Sequence, residues 1–135
     1  SLDRSALGQI VFNDASERQW LEELVHPIVR QRFDAELTRL DEAKTVVLMI
    51  PLLLEAKLTD LCSEVWLVDC SSLQQCQRLM NRDNLSREDA ERRIAAQWPM
   101  SKKRDLADVV IENSGTVESC RQQIEQNIHR TQKRA

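Results

Sequence analysis

The sequence predicts an α/β layer fold whose sheet is parallel. Three short runs have the composition of strands, at residues 45–50, 64–69 and 108–112. The first run is apolar throughout, as expected of a strand that is covered on both faces. Segments with helical spacing of apolar residues separate the runs. Because strands that alternate with helices favour crossover connections, the sheet is expected to be parallel.

The first forty residues are predicted to be helical. Residues 2–12 have a short helical pattern, and Asp14 with Glu17 matches a capping box, in which each side chain accepts a backbone N–H at a helix start. A long apolar stripe follows, with apolar residues spaced three and four apart. Pro27 interrupts this stripe and removes one helical hydrogen bond. We therefore expect either two helices or one bent helix there.

Three further helices are predicted, two between the runs at 64–69 and 108–112 and one after the run at 108–112. Ser72 is expected to cap a helix that ends near Arg82, and Ser86 a helix that ends before Pro99. Thr116 is expected to cap a last helix, which is followed by a basic tail. Each of these residues has a side-chain oxygen that can accept a backbone N–H in the first turn.

Length and charge restrict the classes of function. The chain has 135 residues, enough for one domain, with 41% hydrophobic and 30% charged residues, as in soluble globular proteins. The net charge of −3 provides no overall attraction to nucleic acid or to anionic lipid. The longest apolar run, residues 46–54, is well short of the roughly 20 residues that a membrane-spanning helix needs. No pattern typical of a signal peptide is present.

The four cysteines indicate a cytoplasmic protein with reduced thiols. None of them forms a CxxC pair, and no histidine stands at the short spacing from a cysteine that is typical of zinc sites. A zinc site is therefore not expected, and no metal ligand is assigned to this chain.

Polar residues follow all three predicted strands, at residues 51–55, 69–72 and 113–115. In open parallel sheets, ligands bind outside the carboxyl ends of the strands. The alternative is that these are ordinary loops, because asparagine, serine, glycine and proline are common turn residues.

Basic side chains form a second group of candidates. Arg78 and Arg82 are spaced to share one face of a helix, and Arg93, Lys103 and Arg104 follow soon after. Guanidinium groups bind phosphate oxygens bidentately and stay charged. The alternative is a solvated, salt-bridged surface. His26, Pro27 and Arg30 form a third group, although a lone histidine on an amphipathic helix is more often structural.

The order of these motifs resembles the dephospho-CoA kinase family. The segments "SLDRSALGQIVFND", "LVHPIVRQRF", "VVLMIPLLLEAKL", "VWLVDCSSLQQCQRLMNRDNLSREDAERRIAAQ" and "KRDLADVVIENSGTVE" occur in the order of the family, and the similarity extends to about residue 125. The resemblance implies a three-layer, P-loop kinase-like fold with a helical CoA-binding region at 1–43, a nucleotide-binding core at 44–77 and 105–135, and a helical lid at 78–104. It also implies transfer of the γ-phosphate of ATP, with Mg²⁺, to the ribose 3′-hydroxyl of dephospho-CoA.

The resemblance also implies roles for individual residues. The positions are catalytic arginines Arg78 and Arg82; lid and phosphate residues Arg93 and Gln97; substrate-binding residues His26, Pro27, Arg30, Pro51 and Glu55; and adenine-loop residues Asn113 and Gly115.

The chain departs from the family pattern in one respect. It contains no GxxxxGK(S/T) phosphate loop and no strand ahead of it. We therefore expect it to correspond to the carboxyl-terminal two-thirds of such a kinase and to be inactive alone. The missing strand would lie between the predicted strands at 45–50 and 64–69, so their edges are expected to be open to self-association. Two alternatives remain, another nucleotide or metabolite kinase and a non-catalytic binding or interaction domain.

Overall fold

The computed structural model describes residues 2–134. These residues form two compact units, one that ends at Pro51 and one that begins at Leu52.

The first unit contains two helices, α1 at Arg4–Asn13 and α2 at Ala15–Arg39. The Asp3 carboxylate accepts the first backbone N–H groups of α1. The Asp14 carboxylate accepts the N–H groups of Ser16 and Glu17, so it caps α2 as predicted. These bonds lower the pKa of Asp14, chiefly through the hydroxyl of Ser16.

Pro27 lies inside α2 without ending it, so of the two alternatives, two helices or one bent helix, the segment forms one helix. Proline removes one backbone donor, but in a helix of 25 residues the turns on either side keep their own hydrogen bonds.

Residues 45–50 form no strand, which corrects the first of the three strand predictions. Val47 and Met49 are 84% and 86% exposed, so the segment is not covered on both faces either. The physical reason is that an apolar run favours burial, whereas a strand also requires a neighbouring backbone to pair with. Among residues 2–134, no strand pairs with this segment.

The second unit contains a parallel sheet of two strands, β1 at Trp66–Asp69 and β2 at Val109–Glu112. Trp66 pairs with Val109 and Asp69 with Glu112, so both strands end at the same level. These strands confirm the second and third predictions, apart from one or two residues at their starts. Within the described residues, β1 bonds β2 along one edge and no strand along the other.

The second unit also contains four helices, three between β1 and β2 in the chain and one after β2. They are α3 at Ser72–Asp83, α4 at Arg87–Ala95, α5 at Met100–Leu106 and α6 at Val117–Arg134, and a short 3-10 turn at Thr59–Leu61 precedes β1. Ser86 and Thr116 cap α4 and α6 as predicted. The cap of α3 is Ser71 rather than Ser72, since the Ser71 hydroxyl accepts the N–H of Gln74. The α/β fold class with a parallel sheet is confirmed.

The core of the second unit lies between β2 and the helices. Val109 and Ile111 are buried while Val110 and Glu112 face outward, which is the two-residue alternation of a strand. Leu54, Leu58, Cys76 and Ala90 complete the buried apolar set. No helix in the described part of the chain is both long and apolar enough to span a membrane.

Candidate functional site at the carboxyl ends of the strands

The loops that follow β1 and β2 lie side by side. The backbone N–H of Asn113 donates to the carbonyl of Asp69 at 2.7 Å, and the N–H of Ser71 donates to the Ser114 hydroxyl at 3.3 Å. Because β1 and β2 are parallel and in register, both loops lie at the same end of the sheet, where the strands have their carboxyl ends.

Helix α3 begins at this edge and holds the loop after β2. The side-chain amide of Gln74 donates to the carbonyl of Ser114 at 2.9 Å. One turn later, Arg78 donates from Nη1 to the carbonyl of Asn113 at 2.8 Å. A guanidinium group is therefore fixed beside the loop, where an anionic ligand at the strand ends would find a donor.

A second group of arginines surrounds one carboxylate at the end of α3. Arg82 forms two hydrogen bonds with Asp83, of 2.7 and 3.0 Å, and Arg93 on α4 donates to the same carboxylate at 3.0 Å. The hydrogen bond from Arg82 is the main reason that the pKa of Asp83 is lowered. The same bond raises the pKa of Arg82. The Asp83 carboxylate therefore orients both guanidinium groups.

Glu55 lies in a turn at residues 51–57 and is bound by the start of α5 and the segment before it. Its Oε1 accepts from Lys103 Nζ at 2.7 Å and from the backbone N–H of Trp98 at 3.0 Å. Lys103 Nζ also donates to Gln97 Oε1 at 3.3 Å. Burial raises the pKa of Glu55, but the hydrogen bonds from Lys103 and the backbone outweigh burial and lower it overall.

Asp69 is the last residue of β1 and is only 3% exposed. Its Oδ2 accepts from the guanidinium of Arg104 on α5, and this hydrogen bond is the main reason that the pKa of Arg104 is raised. Its Oδ1 is buried without a hydrogen-bond partner among the described residues. A buried carboxylate with one open oxygen therefore lies at the carboxyl end of the strand.

Comparison with known proteins decides the family. A sequence model of the family described as dephospho-CoA kinase matches residues 1–119. The chain belongs to the dephospho-CoA kinase family. The resemblance seen in the order of the motifs is thereby confirmed.

Relatives in the family share much of the sequence. A dephospho-CoA kinase of Prochlorococcus marinus (strain MIT 9313) is 60% identical over 124 residues, which cover 92% of this chain and 61% of the relative. One of Parasynechococcus marenigrum (strain WH8102) is 58% identical over 116 residues, which cover 86% of this chain and 59% of the relative. The chain thus spans about three-fifths of the length of these relatives.

Solved structures agree with the fold of the family. A crystal structure from Thermus thermophilus is 38% identical with a TM-score of 0.77, and the match covers 96% of this chain and 67% of that one. The dephospho-CoA kinase from Campylobacter jejuni is 30% identical with a TM-score of 0.64, and the match covers 98% of this chain and 67% of that one. The predicted P-loop kinase-like fold is therefore confirmed.

The family resemblance singles out a set of residues. Some of them lie together in the structure, and others lie apart. Arg78 contacts the loop that holds Asn113 and Gly115, whereas Arg82 and Arg93 meet at Asp83. Gln97 belongs to the cluster around Lys103. The roles of all these residues remain predictions.

Gly115 is not required by its backbone geometry. It does not have a positive φ, and a Cβ added there would meet Ser119 at 3.9 Å, an ordinary contact. If the predicted adenine loop depends on this glycine, the reason must be the room that it leaves for a ligand.

The remaining substrate-binding candidates lie in the first unit. His26 and Arg30 are half-buried and one turn apart on α2, and Pro27 lies exposed between them. Pro51 ends the same unit. Their proposed contact with substrate stays a prediction.

The sequence identified Lys103 and Arg104 only as members of a basic cluster, and it offered a phosphate clamp or a solvated surface as their role. In the structure Lys103 binds the half-buried carboxylate of Glu55 and Arg104 binds the buried carboxylate of Asp69 instead. The sequence indicated Asp69 only as the first of the polar residues 69–72 at the end of the second predicted strand. The signal that could have singled it out is an acidic residue directly after three apolar strand residues, since a charge at that depth needs a partner.

Among residues 2–134, no group of three or more histidine, cysteine, aspartate or glutamate side chains is arranged to hold a metal ion.

Proposed function

We propose that this protein is an ATP-dependent kinase that phosphorylates the ribose 3′-hydroxyl of dephospho-CoA, the final step of coenzyme A synthesis. The match of residues 1–119 to the dephospho-CoA kinase family carries the proposal. Relatives named dephospho-CoA kinase that are about three-fifths identical support it.

The arrangement of arginines supports a phosphoryl transfer. Catalysis of this reaction rests mostly on positioning and on neutralising the charge of the phosphate oxygens. We assign this work to Arg78 beside the strand ends and to Arg82 and Arg93, which Asp83 orients. Gln97 completes the proposed phosphate-binding set, and Asn113 with Gly115 forms the proposed adenine loop. The positive charges of the three arginines suit the negative phosphates of ATP.

The family resemblance assigns His26, Pro27, Arg30, Pro51 and Glu55 to the acceptor side. Since Lys103 and the N–H of Trp98 bind the Glu55 carboxylate, we assign Glu55 there through the turn that it holds and not through a contact with the substrate. Arg30 supplies a positive charge suited to the phosphates of dephospho-CoA. Mg²⁺ enters this proposal through the family alone. It would neutralise phosphate charge when bound with ATP.

The proposal is tested by assaying the complete protein that the gene encodes with ATP, Mg²⁺ and dephospho-CoA. We expect coenzyme A and ADP in equal amounts, and a large loss of kcat in Arg78→Met but not in the exposed control Arg87→Met. Phosphorylation of a nucleoside monophosphate or of pantothenate in preference to dephospho-CoA would support the alternative that the protein is another nucleotide or metabolite kinase. Binding of dephospho-CoA without any turnover would support the non-catalytic domain.

The 135-residue polypeptide provides a further arm of the experiment. It contains no GxxxxGK(S/T) segment to hold the phosphates of ATP, so we expect no coenzyme A from it alone. Turnover by this polypeptide would contradict that expectation.

Other properties of the protein remain proposals. We place it in the cytoplasm, since its cysteines match reduced thiols, and we assign it no nucleic-acid or membrane partner. For the 135-residue polypeptide we propose self-association through the edge of β1 that no strand occupies among the described residues. Sedimentation over a range of concentrations tests this, and a monomer throughout would refute it.

A further inference from the structure

Two neighbouring cations on α5 bind carboxylates on two different elements. Lys103 binds Glu55 in the turn at 51–57, and Arg104 binds Asp69 at the carboxyl end of β1. Successive side chains on a helix point about 100° apart, so one short helix can hold two elements at once. Helix α5 therefore ties the turn to the end of the strand.

The Lys103–Glu55 pair is far less exposed than a surface ion pair such as Arg87–Glu91, since Lys103 is buried and Glu55 is half-buried. Lys103 is only 6% exposed, and its side chain and that of Glu55 are 8% and 16% exposed. By contrast, Arg87 and Glu91 are 63% and 61% exposed and 3.8 Å apart. Because lysine is rarely buried without a partner, a pair at this depth is a built feature of the fold and not a surface contact.

The carboxylate of Glu55 is occupied from within the protein. Its Oε1 accepts from Lys103 Nζ, on α5 itself, and from the N–H of Trp98, in the segment that leads into α5. The turn that carries Glu55 is closed by its own backbone bonds, such as Leu58 N–H to the Leu53 carbonyl at 3.0 Å. The turn is thus fixed from inside and from α5.

We propose that Lys103 and Glu55 are positioning residues, which set the turn at 51–57 in place for the acceptor, and that Glu55 does not itself touch the substrate. Arg104 completes the arrangement by holding the end of β1. The kinetic part of this inference rests on the proposed kinase activity.

A double-mutant cycle in the complete protein tests the inference. The variants are Glu55→Gln, Lys103→Met and the double variant, with Lys102→Met as the matched control because Lys102 is exposed and stacks on Trp98. Each variant is measured by urea unfolding and by steady-state kinetics with varied dephospho-CoA.

Glu55→Gln leaves the buried charge of Lys103 without its counter-charge, and Lys103→Met leaves the half-buried charge of Glu55 without its own, whereas the double variant removes both charges. Each single variant is expected to increase the equilibrium constant of unfolding by some factor. We expect the factor for the double variant to be at least about tenfold smaller than the product of the two single factors. The KM for dephospho-CoA is expected to rise in each single variant and to recover in the double. Lys102→Met is expected to change little.

Two results would overturn the inference. One is additive effects on unfolding, since that would show no coupling between Lys103 and Glu55. The other is a raised KM that persists in the double variant at the level of Glu55→Gln, since that would show direct contact of Glu55 with the substrate.

The unfolding arm also separates this inference from the proposed function. If the wild-type protein makes no coenzyme A, the proposed function fails. Coupling in the unfolding cycle would then still support the tie between the turn and α5, and additivity would still refute it.

Discussion

Arg93 on α4 donates a hydrogen bond of 3.0 Å to Asp83 at the end of α3. The same carboxylate accepts two bonds from Arg82, its neighbour in the chain. One acidic side chain therefore orients two guanidinium groups and joins two helices of the proposed lid.

Replacing Asp83 with asparagine is expected to weaken the binding of ATP. The amide keeps the shape of the side chain but loses the charge that attracts Arg82 and Arg93, so the ion pairs through which Asp83 orients both guanidinium groups are lost. We expect the KM for ATP in the complete protein to rise several-fold, with little change in the KM for dephospho-CoA. Glu91→Gln, at an exposed pair on α4, is the control. An unchanged KM for ATP would argue against this role for Asp83.

Glu55 is expected to make stability depend on pH in the acid range. Its pKa is lowered in the folded protein, so its contribution to the free energy of unfolding is complete above the ordinary glutamate pKa of about 4.3 and is lost as the pH falls through the lower, folded value. Urea unfolding between about pH 6 and about pH 3 measures this dependence. Glu55→Gln is expected to flatten the curve in that window. If the slope is the same in both proteins, Glu55 is not the group responsible.

Ile111 on β2 is 1% exposed and is the largest fully buried side chain among the described residues. Ile111→Ala is expected to lower the free energy of unfolding by about 2–5 kcal/mol, because it removes buried methyl groups and leaves a cavity. Val110, the next residue back on the strand, is 40% exposed, and Val110→Ala is expected to cost less than about 1 kcal/mol. Chemical denaturation followed by circular dichroism compares the two. Equal losses would show that β2 is not buried on one face.

Removing the guanidinium of Arg104 is expected to destabilise the end of β1. Arg104→Met leaves the Asp69 carboxylate, which already has one oxygen without a partner among the described residues, without its ion pair. We expect the urea midpoint to fall clearly further than in Arg87→Met, whose partner is exposed. A smaller fall than in that control would mean that water replaces Arg104 at this position.

Local signals in the sequence were sufficient for most of the helices and for β1 and β2. The capping aspartate at Asp14 and the serine at Ser86 act through residues two or three positions away, so their bonds follow from the local sequence. The strands at 66–69 and 109–112 also formed as predicted, because each finds the other in the second unit.

The segment at 45–50 shows where local signals end. Its apolar composition is that of a strand, yet a strand forms only where a second backbone lies alongside, and that neighbour is a property of the whole fold. Pro27 shows the opposite case, since a residue that usually ends helices is tolerated within a long one.

The sequence by itself determined the family, the order of helices and strands after residue 64, and the residue types suited to bind phosphate. Only the tertiary structure decided how the charges are used. Lys103 and Arg104 are adjacent in a basic cluster, and nothing in their sequence distinguishes a phosphate ligand from the partner of a buried carboxylate. That choice depends on Glu55 and Asp69, which lie 48 and 35 residues earlier in the chain and reach α5 only through the fold, because an ion pair requires two charges close together in space.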